Sequence, residues 1–369
     1  MSFALSKEFL GLDYTFVSND PYAATALMKC ELPAKAIEIH GARSQHITVK
    51  DFIEQSRKNQ YDNNDVIVFL KIGNNLDTKT ISEIEKLKTT VFAMFCDVND
   101  NYEFLIHDLN KDLKYTPERA LKFLKLMDGV LYESSDLKDV ILKFDNSLVP
   151  MKVRHPHTNC SKSINYFSPV NISKGSPFDQ LFKENSLFNK NGILNAGYLG
   201  RPKQCTDFLR LTRAIHNLGI QSRFIHANPN IETNFSITSE IDIGFALYDF
   251  DDWTRKLKPA NKMLNYWSIG IPCLVSPYTS YKDVFLENNL DLSYYKIPDV
   301  DFSKYKNLSA HETSLKTSGQ LTEKIRSILS DAKEFHERRL GLWNISKRYN
   351  PMNIEFLYEG MFSFIREKL

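Results

Sequence analysis

The sequence predicts an α/β protein of two domains, each built on a mostly parallel, doubly wound sheet. Three observations carry that prediction. Short β-rich runs alternate with helix-period stretches along both halves of the chain. A polar, aperiodic segment at 155–191 separates the halves. The length, 369 residues, exceeds one ordinary core at roughly 150 residues per domain. Hydrophobic residues make up 42% and charged residues 25%, so both domains can bury an interior and a disordered chain is excluded.

In the first half the strand-like runs fall at 14–17, 36–39, 66–70, 91–95, 130–132 and 151–153. Between them, residues 117–127 place Leu121, Phe123, Leu124 and Met127 at helical spacing, and 135–144 open on a Ser-Asp start signal. After the polar segment, whose clearest breaker is Lys174-Gly175-Ser176-Pro177, a second series begins. It reads strand 193–198, helix 205–218, strands 222–226 and 241–247, helix 261–269, strand 273–275 and helix 281–288. From Leu321 onward the pattern is helical, broken at Asn350-Pro351 and resumed over 352–367. The expected boundaries are therefore 1–185 for a first domain with its linker, 186–349 for a second, and 350–369 for a terminal helix.

Lys and Arg total 47 against 45 Asp and Glu, a formal charge of +2, which gives no field that would make nucleic acid the main partner. The cysteines Cys30, Cys96, Cys160, Cys205 and Cys273 are widely separated and form no CxxC, so a reducing compartment and a packing role are expected. The opening MSFALSKEFLGLDY lacks the apolar core of a signal peptide, and no run reaches about 18 apolar residues. A cytoplasmic protein is expected. Apolar and basic residues near Phe362, Phe364 and Arg366 leave open a peripheral contact with the inner membrane face, although packing of an interlobe helix explains them better.

The stretch from Lys258 to Ser276 reads as loop, helix, tight turn and buried strand. Pro259 and Asn261 mark the helix start, Met263, Leu264 and Trp267 share a face, Gly270 ends the helix and Pro272 stops it from continuing. A helix start presents unpaired N–H groups, and Lys258 and Lys262 add full charges, a combination suited to a diphosphate. Asn265, one turn deeper, and Ser276, past the strand, complete the set of donor-side candidates. An amphipathic helix with solvated lysines fits the segment's charges as well.

This run resembles the donor-binding element of GT-B glycosyltransferases at Lys262, Met263, Leu264, Asn265, Tyr266, Ser268, Gly270 and Pro272. A second likeness lies at 195–203, where a strand ends in a Gly-flanked turn. There Gly200 lets the backbone approach a ligand, and Arg201 and Lys203 carry charge from the strand's carboxyl end toward phosphate oxygens. The acidic-apolar strand from Glu240 to Phe245 and the helix after Pro351 also resemble that group. The resemblance implies two facing Rossmann-like domains, with the C-terminal helix crossing back to the first. It also implies a transferase that moves a sugar from a nucleotide-sugar donor, its co-substrate, to a hydroxyl of a carbohydrate or lipid-linked glycan acceptor, as in polysaccharide biosynthesis. Many retaining members carry two glutamates eight positions apart; here those positions read Leu257 and Asn265, which leaves donor and stereochemistry open. An epimerase on the same fold, a non-catalytic nucleotide- or sugar-binding protein and a transferase acting on modified DNA are the competing readings.

A base for the acceptor hydroxyl is sought in the first domain. Asp97 and Asp100 follow the run 91–95 and so stand at a strand's carboxyl end, where open α/β sheets bind ligands; turn formation explains them equally. His40, after the run 36–39, is a further base candidate, and Arg43 a candidate for holding an anionic acceptor. The triplets at Asp249 to Asp251 and Asp299 to Asp301 match a metal-holding pattern, and His155-Pro156-His157 lacks partners at ligand spacing. With Lys, Arg and a helix start meeting the diphosphate, neither a metal nor a resident cofactor is expected.

Overall fold

A computed structural model describes residues 4–20, 26–71, 76–98, 117–157, 194–199, 206–218, 222–227, 241–247, 257, 259–268, 270–276, 279–305 and 307–369. The chain divides into two compact units. The first comprises 1–156, 257–259 and 349–369, and the second 157–256 and 260–348.

Among the described residues of the first unit, six parallel strands form one sheet in the order β2-β1-β3-β4-β5-β6. They are β1 (Asp13–Ser18), β2 (Arg43–Thr48), β3 (Asp65–Leu70), β4 (Ala93–Asp97), β5 (Gly129–Tyr132) and β6 (Pro150–Lys152). The crossovers are a π-helical turn, Leu27–Glu31, running into α1 (Leu32–Ile39), then α2 (Val49–Arg57), α3 (Thr78–Leu87), α4 (Pro117–Leu124) and α5 (Ser135–Phe144). β3 is buried along its whole length, the mark of a central parallel strand covered on both faces. Thr48, Asp77 and Ser134 cap α2, α3 and α5 by accepting the N–H of Asp51, Thr80 and Leu137, which ends each strand-to-helix turn cleanly.

One expectation fails here. Residues 36–39 are the last turn of α1, not a strand: Pro33 opens this helix and Ala36 and Ile37 pack inward. The strand lies further on, as β2, an edge strand paired only with β1 and partly exposed along its length. The terminal segment returns to this unit as α12 (Ile354–Leu357) and α13 (Glu359–Lys368). Arg154 anchors it: its backbone N–H donates to Leu357 O (2.7 Å), Nη1 to Phe356 O (2.6 Å) and Nη2 pairs with Glu359 (2.8 Å). Phe362 packs its ring at a tilt against Phe9, and Phe364 meets Phe95 edge-on.

Among the described residues of the second unit, four parallel strands form a sheet in the order β10-β9-β7-β8. Its strands are β7 (Leu194–Leu199), β8 (Ser222–Ala227), β9 (Ile243–Ala246) and β10 (Cys273–Val275). Its helices are α6 (Thr206–His216), α7 (Asn261–Trp267), α8 (Thr279–Glu287), the short α9 (Leu292–Tyr295), α10 (Ala310–Leu329) and α11 (Ala332–Ser346). Ala196, Tyr198, Phe245 and Leu274 from the sheet meet Leu211 and Ile215 of α6 and Leu321 and Ile325 of α10 in one core. α10 begins eleven residues before the helical pattern becomes readable, opened by a capping box between Ser309 and Glu312. Among the described residues no helix is long and apolar enough to cross a membrane.

Candidate functional site

In a doubly wound sheet, ligands bind outside the carboxyl ends of the strands, where successive crossovers leave a strand in opposite directions. In the second unit the chain passes from β7 to β8 on one side and then to β9 on the other, so this point lies at the ends of β7 and β9. α7 is the crossover from β9 to β10, and its start therefore faces that edge. Within its first turn, the Lys262 ammonium sits 4.8 Å from the ring centroid of Tyr198, the penultimate residue of β7. Beyond β10, the N–H of the buried Ser276 donates to Ala246 O, the last residue of β9, at 3.2 Å. Lys262 and Ser276 thus stand at the ends of three adjacent strands.

α7 is placed by its fit to the sheet. Met263, Leu264, Tyr266 and Trp267 are buried, and the Tyr266 ring lies against Gly244 of β9, where a Cβ would come within 2.6 Å of it. Gly270 adopts φ +66° and closes the helix. Its N–H donates to Trp267 O and that of Ile271 to Tyr266 O, both at 2.9 Å, the Schellman pattern that needs a left-handed residue. The buried Arg339 of α11 donates Nε to Gly270 O at 2.8 Å, fixing the turn from behind.

The helix has seven residues, against nine expected, and the N–H of Lys262 is taken by Asn261 Oδ1 at 2.8 Å. Its dipole is accordingly short, and among the described residues the Lys262 side chain supplies a full charge at this edge. Asn265 is buried one turn deeper, and its carbonyl accepts from Ser268 Oγ at 2.8 Å. Gly200, Arg201, Lys203 and Lys258 lie outside the described residues, as do Glu240 and the Asp249 to Asp251 triplet.

In the first unit Asp97 ends β4, but its side chain is 1% exposed and pairs with the fully buried Lys29 at 3.3 Å. It cannot meet an acceptor hydroxyl in this arrangement, which corrects its assignment as a base. Asp100 lies outside the described residues. His40 follows a helix rather than a strand, with Nε2 2.9 Å from Met352 O. Arg43 opens β2 and pairs with Asp13, the first residue of β1, at 2.5 Å. Both therefore stand at the amino edge of the sheet, opposite the edge where ligands bind, and the reason for giving them catalytic or acceptor roles is removed.

Sequence reasoning missed His46, which lies on β2 with Nε2 2.9 Å from the buried Ser18 Oγ at the carboxyl end of β1. Burial pulls its imidazole below the ordinary value, with Glu31 opposing, so the ring is neutral near pH 7. A Ser and a His on paired strands would have flagged the position, but the polar run Arg43–Thr48 gives no strand signal. Among the described residues no group of three or more His, Cys, Asp or Glu side chains is placed to hold a metal ion.

No family model matches the chain, and no curated protein matches it. Solved structures do. Anabaena HepE, determined in complex with UDP and glucose, superposes with a TM-score of 0.51 at 10% identity, covering 96% of this chain and 100% of its own. The N-terminal domain of trehalose-6-phosphate phosphatase from Candida albicans superposes with a TM-score of 0.54 at 8% identity, covering 100% and 98%. Identities this low speak to the fold alone. Two parallel α/β units with a terminal helix that rejoins the first constitute the fold of the GT-B glycosyltransferases.

Proposed function

We propose that the chain is a metal-independent glycosyltransferase whose second unit holds the diphosphate of a nucleotide-sugar donor at the carboxyl edge of its sheet. The observation that carries this reading is the Lys262 ammonium over Tyr198 at the β7 and β9 switch point. A cation at that edge neutralises charge that grows on the diphosphate as it leaves. In the reaction an acceptor hydroxyl attacks the anomeric carbon, the bond from that carbon to the diphosphate oxygen breaks, and a base takes the hydroxyl proton. Arg201, Lys203 and Lys258 are assigned to the same diphosphate, Asn265 to a ribose hydroxyl and Ser276 to the phosphate end of the donor. The UDP and glucose bound by HepE are the reason to try UDP first.

The acceptor belongs to the proposal as a carbohydrate or lipid-linked glycan, handled on the cytoplasmic side with at most peripheral membrane contact. Thermal shift with UDP, ADP, GDP and TDP, followed by nucleotide release from the matching donor across glycan acceptors, tests it. A ligand bound by the native state raises the melting point, and Lys262→Ala should weaken the best stabiliser by about tenfold, as loss of one charge-assisted contact predicts. Stabilisation by none of the four sinks the reading. Binding without turnover makes the chain a binding protein, and donor conversion without acceptor makes it an epimerase.

A further inference from the structure

Beneath the carboxyl edge of the first sheet, three charged side chains are closed off from water. The side chains of Lys29, Asp97 and Glu133 are 0%, 1% and 3% exposed. Lys29 lies in the π-helical turn Leu27–Glu31 ahead of α1. Asp97 ends β4, and Glu133 follows β5 immediately before the Ser134 cap of α5. Lys29 Nζ is 3.3 Å from Asp97 Oδ2 and forms a second ion pair with Glu133. From the C-terminal segment, the buried Tyr358 hydroxyl donates to Lys29 O at 3.0 Å. One lysine thereby joins four parts of the first unit that are distant in sequence.

Stability alone does not account for this arrangement. Taking ions out of water costs several kcal/mol each, and well-packed apolar side chains often replace buried ion clusters without loss. A π turn is also rare, occurring mostly as a single turn inside an α-helix and frequently at a functional site, and here it carries the lysine. What the ion cluster supplies is register, because only one helical phase aims Lys29 at both carboxylates. We propose that Lys29 is a charge latch that fixes the π register of the connection between β1 and α1 against the ends of β4 and β5.

Among the described residues, the titratable groups facing the latch are Lys29 and the Cys30 thiol from the π turn, Asp97 from β4, Glu133 from the connection to α5, and Tyr358 from the C-terminal segment. Burial pulls the Lys29 ammonium down, but the two carboxylates more than offset it, so the lysine stays charged. Burial pushes the Cys30 thiol and the Tyr358 phenol well up, so both stay neutral. The latch is therefore built from one ammonium and two carboxyl groups.

Hydrogen exchange of the full chain, read on the peptide spanning 27–39 and corrected for intrinsic rates, tests it at about pH 5 and about pH 8. Lys29→Met keeps the apolar stem and leaves two carboxyl groups facing each other. At the higher pH, where each proton lost leaves a buried carboxylate without its ammonium, its exchange should be faster than wild type by about tenfold or more; at the lower pH the excess should shrink. Lys29→Met/Glu133→Gln should lose that pH dependence. Equal acceleration at both pH values, or none, overturns the latch and leaves Lys29 as packing. Should Lys29→Met not fold, Asp97→Asn/Glu133→Gln decides: an unpaired Lys29 should speed exchange of the same peptide at the higher pH, and wild-type exchange there overturns the proposal. Glu133→Gln alone retains a one-to-one pair and should exchange within about threefold of wild type; a larger acceleration also overturns it.

Discussion

Replacing Gly244 with alanine should destabilise the second unit by way of a single contact. A Cβ built at this position lies 2.6 Å from both Cγ and Cδ1 of Tyr266 and 2.8 Å from Cδ2, about 1 Å inside ordinary carbon contact. These atoms are at the root of the ring, so a small rotation of its tip gives no relief. Tyr266 is 0% exposed and sits between the sheet and the rest of α7, so the helix itself must move. Overpacking of this kind costs about 1–3 kcal/mol. Urea unfolding of Gly244→Ala, Tyr266→Ala and the double variant measures it. The double variant should be less destabilised than the sum of the singles, by roughly 1 kcal/mol, because alanine lacks the Cγ and Cδ atoms that the new methyl meets. Since α7 also carries Lys262, Gly244→Ala should weaken binding of the best nucleoside diphosphate. A midpoint within about 0.3 kcal/mol of wild type, or strict additivity with Tyr266→Ala, would refute the packing argument.

Gly270→Ala should cost about 1 kcal/mol, because φ +66° places a Cβ against the backbone; an unchanged urea midpoint would show that the turn relaxes. Burial raises the Asp65 carboxyl from 3.8 to about 6, so the folded state prefers the proton and loses stability as pH rises from about 4 to about 6. Asp65→Asn should accordingly gain roughly 1–3 kcal/mol at pH 7 and nothing below about pH 4, read as melting temperature against pH. His157 has the opposite sign: burial lowers it from 6.5 to about 4, so stability is fully present above about pH 6.5 and is lost as pH falls toward 4. His157→Gln should remove roughly 3 kcal/mol of that acid loss, and an unchanged acid limb would show that the ring is reached by water.

What the sequence revealed followed from how each element buries its surface. The run Asp65–Leu70 is buried at every position, and a continuous apolar run flanked by polar residues reads as a strand without further information. β10 and α5 are legible for similar reasons, an apolar core in one and a Ser-Asp start in the other. β2 is not, because Arg43–Thr48 is a half-exposed edge strand whose residues Arg, Ser, Gln and His carry no alternation. The first half of α10 is hidden differently. Thr313, Ser314, Thr317 and Ser318 form its buried face, and the Nε of the buried Arg210 donates to Thr317 O at 3.1 Å. Small polar residues whose hydroxyls donate to carbonyls one turn back in the same helix leave no apolar stripe to detect. The Lys29 cluster is equally silent, since its members lie in three separate segments and each is locally an ordinary charged residue.

The donor reading and the latch are separable because their residues belong to different units. A fold shared with a UDP complex and with a phosphatase's N-terminal domain does not by itself decide the chemistry; charge at the carboxyl edge of each sheet does. If the second unit binds the nucleotide, Lys262→Ala should lower its affinity while leaving exchange over 27–39 at the wild-type rate. If the latch organises the carboxyl edge of the first sheet, Glu133→Gln should leave both properties intact, and Lys29→Met should speed exchange without weakening the nucleotide. Turnover lost in Lys29→Met with nucleotide affinity retained would then assign the acceptor step to the first unit. Nucleotide affinity lost in both Lys29→Met and Lys262→Ala would instead show that the two sheet edges are energetically coupled.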